Sequence, residues 1–147
     1  HGKVRDWWTP ADFAHFNAAT SALAKQFDSY EPLPGVHVNG RQTLGEDIAD
    51  LGGINASFEA FHDSLHGHAA PVVNGLTGDQ QFFLGFGQNW QTKTRDAALR
   101  QQLLTDPHAP GQIRAETVRN LDAWYKEFDV QPTEKLYLAP NQRVHIW

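Results

Sequence analysis

The stretch Thr43-Leu-Gly-Glu-Asp-Ile-Ala-Asp-Leu-Gly-Gly53 places two carboxylates, Glu46 and Asp50, four residues apart and follows them with a glycine pair. Apolar residues through and beyond this stretch recur every three, four or seven positions, which predicts an amphipathic helix over residues 44–65. They are Leu44, Ile48, Leu51, Phe58 and Leu65. In such a helix Glu46 and Asp50 lie roughly opposite the apolar stripe. A like-charged pair at this spacing costs roughly 0.2 to 0.5 kcal/mol, and each interior glycine costs about 1 kcal/mol.

Two interpretations of the acidic stripe remain open on the residues alone. The stripe is a solvated face in the first, since Thr43 and Glu46 match a capping box and acidic residues suit a first helical turn. In the second, a cation held between helices relieves the carboxylates, and the glycines let another helix approach closely. The second interpretation makes Glu46 a metal ligand and Asp50 the partner of a ligating histidine.

The rest of the chain also has helical patterns, so the predicted fold class is mainly α. Thr9 and Pro10 are typical of a helix start, and residues 31–40 read as an extended loop with an Asn-Gly turn. Thr77 and Gln80 match a second capping box. Further helices are expected near residues 94–104 and 117–128, with a Pro-rich break between them. The tryptophans and phenylalanines follow helical faces and are expected to fill the core; they include Trp7, Trp8, Phe82, Phe83, Phe86, Trp90 and Trp124.

Composition narrows the functional classes. The chain has 147 residues, a net charge of −5 and no cysteine or methionine. One core of ordinary size fits this length, while the missing basic face argues against nucleic acid as a partner. There is no apolar run of about 18 residues, so no membrane segment is expected. Because the chain opens on His1-Gly2 without a methionine, we expect it to be part of a longer protein.

The quoted stretch, extended to Val38–Gly53, closely resembles the segment that carries the third zinc ligand in neprilysin-like metallopeptidases, the family that includes endothelin-converting enzyme. Other segments resemble landmarks of that family in the same order, and together the similarity covers essentially the whole chain. They are Gly2–Thr9, Gly75–Leu84, His108–Arg114 and the terminal Ile146-Trp147. The resemblance implies that residues 1–147 are the C-terminal part of one thermolysin-like zinc peptidase catalytic domain.

The resemblance also implies roles for four residues. Glu46 would be the third protein ligand of a catalytic Zn²⁺, and Asp50 would hydrogen-bond a zinc-ligating histidine. His108 would stabilise the developing oxyanion, and Arg114 would bind a backbone carbonyl of a peptide substrate. The chemistry is consistent, since a catalytic zinc takes three protein ligands, and N–H donors near a carbonyl oxygen stabilise the tetrahedral state.

One part of the expected site is missing from the chain. The family's zinc-binding helix bears His-Glu-x-x-His, which supplies two ligands and the general base, and this chain has no such motif. The chain alone is therefore expected to be inactive, with a companion N-terminal fragment supplying the rest. The complete protein is expected to be an endopeptidase that hydrolyses peptides by metal-activated water.

A rival interpretation is a non-catalytic helical module that binds metal or peptide through His62, His66 and His68. His62 and His66 share a helical face, a spacing that can bind zinc, although histidines also suit a helix C-terminus. Localisation is expected to be periplasmic or secreted and bacterial. This expectation rests on the family resemblance. Eukaryotic relatives with extracellular domains have a cysteine three residues before the terminal Trp, whereas this chain has Val144, which suggests a bacterial relative without the disulfide framework.

Overall fold

The computed structural model describes residues 2–146, so the Trp147 part of the terminal landmark lies outside the described residues. This range is mainly helical, as predicted, and its only paired extended residues form two isolated bridges. Its α-helices are α1 (Pro10–Asp28), α2 (Gly40–Ser64), α3 (Gly78–Asn89), α4 (Asp96–Thr105), α5 (Gly111–Ala115) and α6 (Asp122–Phe128). Two short 3-10 helices cover Glu116–Asn120 and Pro140–Gln142.

Helices α1 and α3 begin at the predicted caps. The Thr9 side chain accepts a hydrogen bond from the Asp12 backbone N–H, and the Asp12 side chain accepts one from the Thr9 backbone. Thr77 and Gln80 form the same reciprocal pair at the start of α3. Each capping box satisfies two backbone N–H groups that a helix start leaves free.

Helix α2 begins earlier than the capping-box interpretation of Thr43 and Glu46 requires. Asn39 is its N-cap, and the Asn39 side chain accepts from the Gln42 backbone N–H. Residues 39 and 40 are therefore a helix start, and the predicted Asn-Gly turn is wrong. Thr43 lies one turn inside the helix, where its hydroxyl donates to Asp47 at 2.7 Å.

The close approach of two helices occurs at a glycine other than the predicted pair. A Cβ on Gly40 would lie 2.0 Å from the Ala24 carbonyl oxygen of α1, whereas a Cβ on Gly53 would meet nothing within 4 Å. Only glycine fits at position 40, because any larger side chain would overlap backbone atoms. Gly53 brings no helix of the described residues closer, and the close approach of a helix from outside this chain stays a prediction.

The buried face of α2 is rotated slightly from the predicted stripe. Thr43, Asp47, Leu51 and Ile54 are buried, while the predicted Leu44, Ile48 and Phe58 are half-buried at its edges. This face packs with α1, whose Leu23 and Phe27 are fully buried. The buried faces of α1 and α2 therefore form one part of the core, and Glu46 and Asp50 lie along its edge.

The predicted last helix over residues 117–128 is divided in two. The 3-10 helix ends at Asn120, Leu121 adopts an extended backbone conformation, and α6 begins at Asp122. The buried Asn120 amide pairs with the Gln26 amide of α1 and also accepts from the Val144 backbone N–H. These contacts place Asn120 against two distant segments, and the helix breaks where they are made.

The aromatic residues fill the core only in part. Phe83 is buried and Phe82, Phe86 and Trp124 pack beside the core, as expected. Trp7 is 71% exposed and stacks on Trp8, with 4.8 Å between ring centroids, so its assignment to the core was wrong. No helix of the described residues is long and apolar enough to cross a membrane.

Candidate active site

Three segments bring the four predicted site residues together. Helix α2 carries Glu46 and Asp50 one turn apart along one flank of its buried stripe. The Pro-rich loop after α4 carries His108, and the short helix α5 carries Arg114. Glu46 faces His108 and Asp50 faces Arg114, so the acidic stripe is paired with basic groups and is not a solvated face.

The first pair is half exposed. His108 Nε2 lies 3.2 Å from Glu46 Oε2, and both side chains are slightly more than 40% exposed. On the other side of the ring, His108 Nδ1 lies 2.8 Å from Asp106 Oδ1, which also accepts from the His108 backbone N–H. These hydrogen bonds from His108 lower the pKa of Asp106, so Asp106 stays ionised and fixes the ring.

The second pair, Asp50 and Arg114, is more buried than the first. Arg114 Nε and Nη2 donate to the two oxygens of Asp50 at 2.7 and 2.6 Å, a bidentate arrangement. The hydrogen bonds to Asp50 raise the pKa of Arg114 further. A carboxylate can accept about four hydrogen bonds, so Asp50 retains capacity for a histidine N–H. Arg114 likewise retains Nη1 for another acceptor.

An aromatic ring covers the guanidinium. The Arg114 Cζ lies 3.9 Å from the centroid of the Trp90 ring, a short cation–π contact. Trp90 follows the last residue of α3. Beside this contact, a groove of about 330 Å³ runs between α2 and α3 and is lined by Asp50 and Phe86. Asp50 therefore borders a space open to a ligand.

A fourth acidic group, Asp47, lies beneath the site. Asp47 is only 1% exposed, accepts a hydrogen bond from Thr43, and has a second oxygen with no hydrogen-bond partner among the described residues. Burial raises the pKa of Asp47 to about 7, against the opposing effect of the Thr43 hydroxyl. Asp47 is buried on the core side of α2 and does not line the groove that Asp50 borders.

The donor chemistry suits one zinc ligand. Glu46 offers a half-exposed carboxylate, and zinc accepts Asp or Glu oxygen in catalytic sites. His108 does not complete a ligand set, because its two ring nitrogens point at different carboxylates. Within residues 2–146 no three His, Asp or Glu side chains converge closely enough to hold a metal ion. Glu46 therefore has the chemistry of a single zinc ligand, and the described residues do not supply a complete ligand set.

The three histidines of the rival interpretation do not form a site in the structure. His62 Nε2 lies 3.0 Å from Asp79 Oδ1 at the start of α3. Helix α2 ends at Ser64, and His66 adopts a left-handed backbone conformation beyond that end. His62 therefore links two helices, while His66 and His68 belong to the exposed connection.

Sequence reasoning missed Asp106, Trp90 and Asp47 as neighbours of the site. The Asp-Pro-His spacing of residues 106–108 is a usable signal, since an Asp side chain readily accepts from the backbone two residues later. Asp47 interrupts the apolar spacing of Leu44, Leu51 and Ile54, which marks it as a buried acid. Nothing in the sequence pairs Trp90 with Arg114.

Comparison with known proteins shows the family of the chain. The family model described as Peptidase family M13 matches residues 1–144. The chain belongs to peptidase family M13. It is 32% identical over 148 residues to a neutral endopeptidase of Lactobacillus helveticus, covering 100% of this chain and 21% of the relative. It is also 30% identical to neprilysin-3 of Drosophila melanogaster, covering 99% of this chain and 19% of that protein.

A solved member of the family has the same fold in this region. The zinc metalloprotease Zmp1 of Mycobacterium tuberculosis, solved in complex with an inhibitor, superposes with a TM-score of 0.95 at 45% identity. The match covers 99% of this chain and 23% of that structure. The chain thus spans about a fifth of the length of the family M13 relatives it matches.

Proposed function

We propose that this chain is the C-terminal part of the catalytic domain of a zinc endopeptidase that cleaves peptides. The observation that carries the proposal is the meeting of two charged pairs, Glu46 with His108 and Asp50 with Arg114, in a chain of family M13. Three segments distant in sequence meet there, and each supplies a group that peptide hydrolysis needs.

We assign Glu46 to the zinc ion as its third protein ligand. Two histidines from outside this chain would complete the set, and the chemistry supplied by a zinc held there would be a lowered pKa of bound water and polarisation of the substrate carbonyl. Arg114 donates two hydrogen bonds to the Asp50 carboxylate, which can accept more. Asp50 therefore accepts a further hydrogen bond from the N–H of one of those histidines. This hydrogen bond to Asp50 keeps the histidine ring in a fixed orientation.

His108 and Arg114 act on the substrate. In its imidazolium form His108 donates from Nδ1 to Asp106 and keeps Nε2–H as a donor for the oxygen that becomes negative during attack. Arg114 donates through Nη1 to a backbone carbonyl of the peptide, while Asp50 fixes its other two nitrogens. His108 thus stabilises the transition state, and Arg114 positions the peptide.

Steady-state kinetics of the complete protein on a peptide substrate test these roles. We expect His108→Ala to lower kcat about 100-fold or more, the range for removing one oxyanion donor, with KM changed less than about threefold. The matched control is His15→Ala, on the exposed face of α1. Equal kcat in the two variants would remove His108 from the reaction.

The proposal also requires a companion part of the same protein with His-Glu-x-x-His. Denaturing mass spectrometry of purified active protein should find that motif, in the same polypeptide or in a second one. This chain purified alone should hydrolyse no peptide, because the general base is absent from it. Hydrolysis by this chain alone would contradict the assignment.

We place the complete protein in a bacterial periplasm or outside the cell. The supporting observations are relatives in Lactobacillus and Mycobacterium and the valine at position 144. Fractionation of the source cells, followed by peptidase assay of each fraction, tests this location. Activity confined to the cytoplasmic fraction would contradict it.

A further inference from the structure

Trp90 is held against Arg114 by packing. A Cβ built on Gly111, the first residue of α5, would lie 2.8 Å from the Trp90 carbonyl oxygen and 3.0 Å from Thr92 Oγ1. The backbone after α3 therefore presses on the start of the helix that carries Arg114, and position 111 must be glycine for this approach. Phe86, one turn earlier in α3, contacts the Trp90 ring at a right angle.

The Trp90 indole ring presents its face to Arg114, whereas its buried N–H group has no hydrogen-bond partner among the described residues. A buried indole N–H normally finds an acceptor. The ring is instead oriented so that its face lies 3.9 Å from Arg114 Cζ, which is the geometry of a strong cation–π contact.

Two contacts of different kinds thus fix the guanidinium. Asp50 holds one edge of the guanidinium through Nε and Nη2. These two hydrogen bonds set the direction of that edge but allow the guanidinium plane to tilt about it. The Trp90 ring covers one face, which opposes that tilting. With edge and face both occupied, Nη1 is the nitrogen left with a defined direction.

We propose that Trp90 is a positioning residue that aims Nη1 of Arg114 at the substrate backbone. The inference rests on the proposed function of Arg114 and adds that its geometry depends on an aromatic face. Because Arg114 holds the peptide in both ground and transition states, Trp90 should affect KM and leave kcat almost unchanged.

The test is a double-mutant cycle on peptide hydrolysis by the complete protein. The variants are Trp90→Leu, which keeps apolar bulk but has no π face, Arg114→Gln, which keeps a donor for Asp50 but has no cation, and their combination. Trp90→Phe serves as the conservative variant, since a phenyl face retains part of the cation–π contact. Trp124→Leu is the matched control, because the Trp124 ring contacts Tyr125 and Phe128 rather than an arginine.

We expect Trp90→Leu to raise KM about five- to tenfold with kcat within about twofold, and Trp90→Phe to recover most of the loss. In the Arg114→Gln background, Trp90→Leu should change KM less than about twofold, since the cation it positions is gone. The control Trp124→Leu should leave both constants unchanged.

Two other results have distinct meanings. If Trp90→Leu raises KM equally in both backgrounds, Trp90 acts independently of Arg114 and the positioning role is overturned, while the function of Arg114 stands. If Arg114→Gln itself leaves KM and kcat unchanged, the assignment of Arg114 to the substrate is wrong and the positioning role fails with it.

Discussion

His108 lies between two carboxylates on opposite sides of its ring, with Nδ1 2.8 Å from Asp106 and Nε2 3.2 Å from Glu46. The first partner is two residues away and belongs to the same loop, while the second belongs to α2. Asp106 also accepts the His108 backbone N–H. The ring is therefore anchored on its own loop and directed at the helix that carries the proposed metal ligand.

Asp106→Asn should lower kcat of the complete protein about 10- to 100-fold, the usual cost of losing the carboxylate partner of a functional histidine. The amide of this variant would carry no negative charge, so it would no longer stabilise the imidazolium form of His108, which donates from both ring nitrogens. Steady-state kinetics on a peptide substrate measure the effect, with Asp96→Asn on the exposed first turn of α4 as control. Equal kcat for both variants would show that the anchoring of His108 is unimportant.

Gly40→Ala should destabilise the protein strongly, by about 3 kcal/mol or more. The added Cβ would lie 2.0 Å from the Ala24 carbonyl oxygen, so α1 and α2 must separate along their shared core. Gly45→Ala, on the same helix in open space, should instead stabilise by up to about 1 kcal/mol. Urea unfolding followed by tryptophan fluorescence compares the two variants, and similar stability for both would contradict the close approach.

Asn120→Ala should cost about 2 to 3 kcal/mol of unfolding free energy. The substitution leaves the Gln26 amide and the Val144 backbone N–H without their partner in a buried place. Gln131→Ala, an exposed glutamine, is the control in the same urea experiment. A change below about 0.5 kcal/mol for Asn120→Ala would mean that this amide does not hold α1 and the C-terminal segment together.

Tyr30→Phe should keep or slightly increase stability at pH 8, because the buried Tyr30 hydroxyl has no hydrogen-bond partner in the described chain. Burial raises the pKa of Tyr30 to about 12, against the opposing charge of Arg119. Between pH 10 and 12 the unfolded chain loses this proton and the folded chain keeps it, so wild-type stability falls as pH rises.

The measurement is the difference in unfolding free energy between Tyr30→Phe and wild type at two pH values. We expect this difference to favour the variant by about 1 kcal/mol more at pH 11 than at pH 8, since one pKa unit corresponds to about 1.4 kcal/mol. A difference independent of pH would show that the Tyr30 hydroxyl titrates normally in the folded protein.

The sequence predicted the start of a helix correctly where the capping residues lie within three positions of each other. Thr9 and Thr77 start α1 and α3 through partners within three residues. The start of α2 was misplaced because Gly40 is fixed by Asp28 and Ala24 of another helix. The break at Asn120 also depends on distant partners, and such contacts leave no periodic pattern in the sequence.

The site residues could also be predicted only in part from the sequence. Family resemblance named Glu46, Asp50, His108 and Arg114, and the fold brings them together. Neither periodicity nor spacing showed that Asp50 pairs with Arg114 or that Trp90 covers it, because these contacts join separate helices. The resemblance locates the groups, and the structure supplies their pairing.

The zinc content of the complete protein tests the central claim most directly. Wild type and Glu46→Ala are purified in parallel with Glu59→Ala, an exposed glutamate on the same helix, dialysed against a zinc buffer, and analysed for metal per polypeptide. We expect about one zinc in wild type and in Glu59→Ala, and loss of most of it in Glu46→Ala, since a catalytic zinc depends on each of its three protein ligands. Full zinc retention and unchanged peptide hydrolysis in Glu46→Ala would contradict the assignment of Glu46 to the metal.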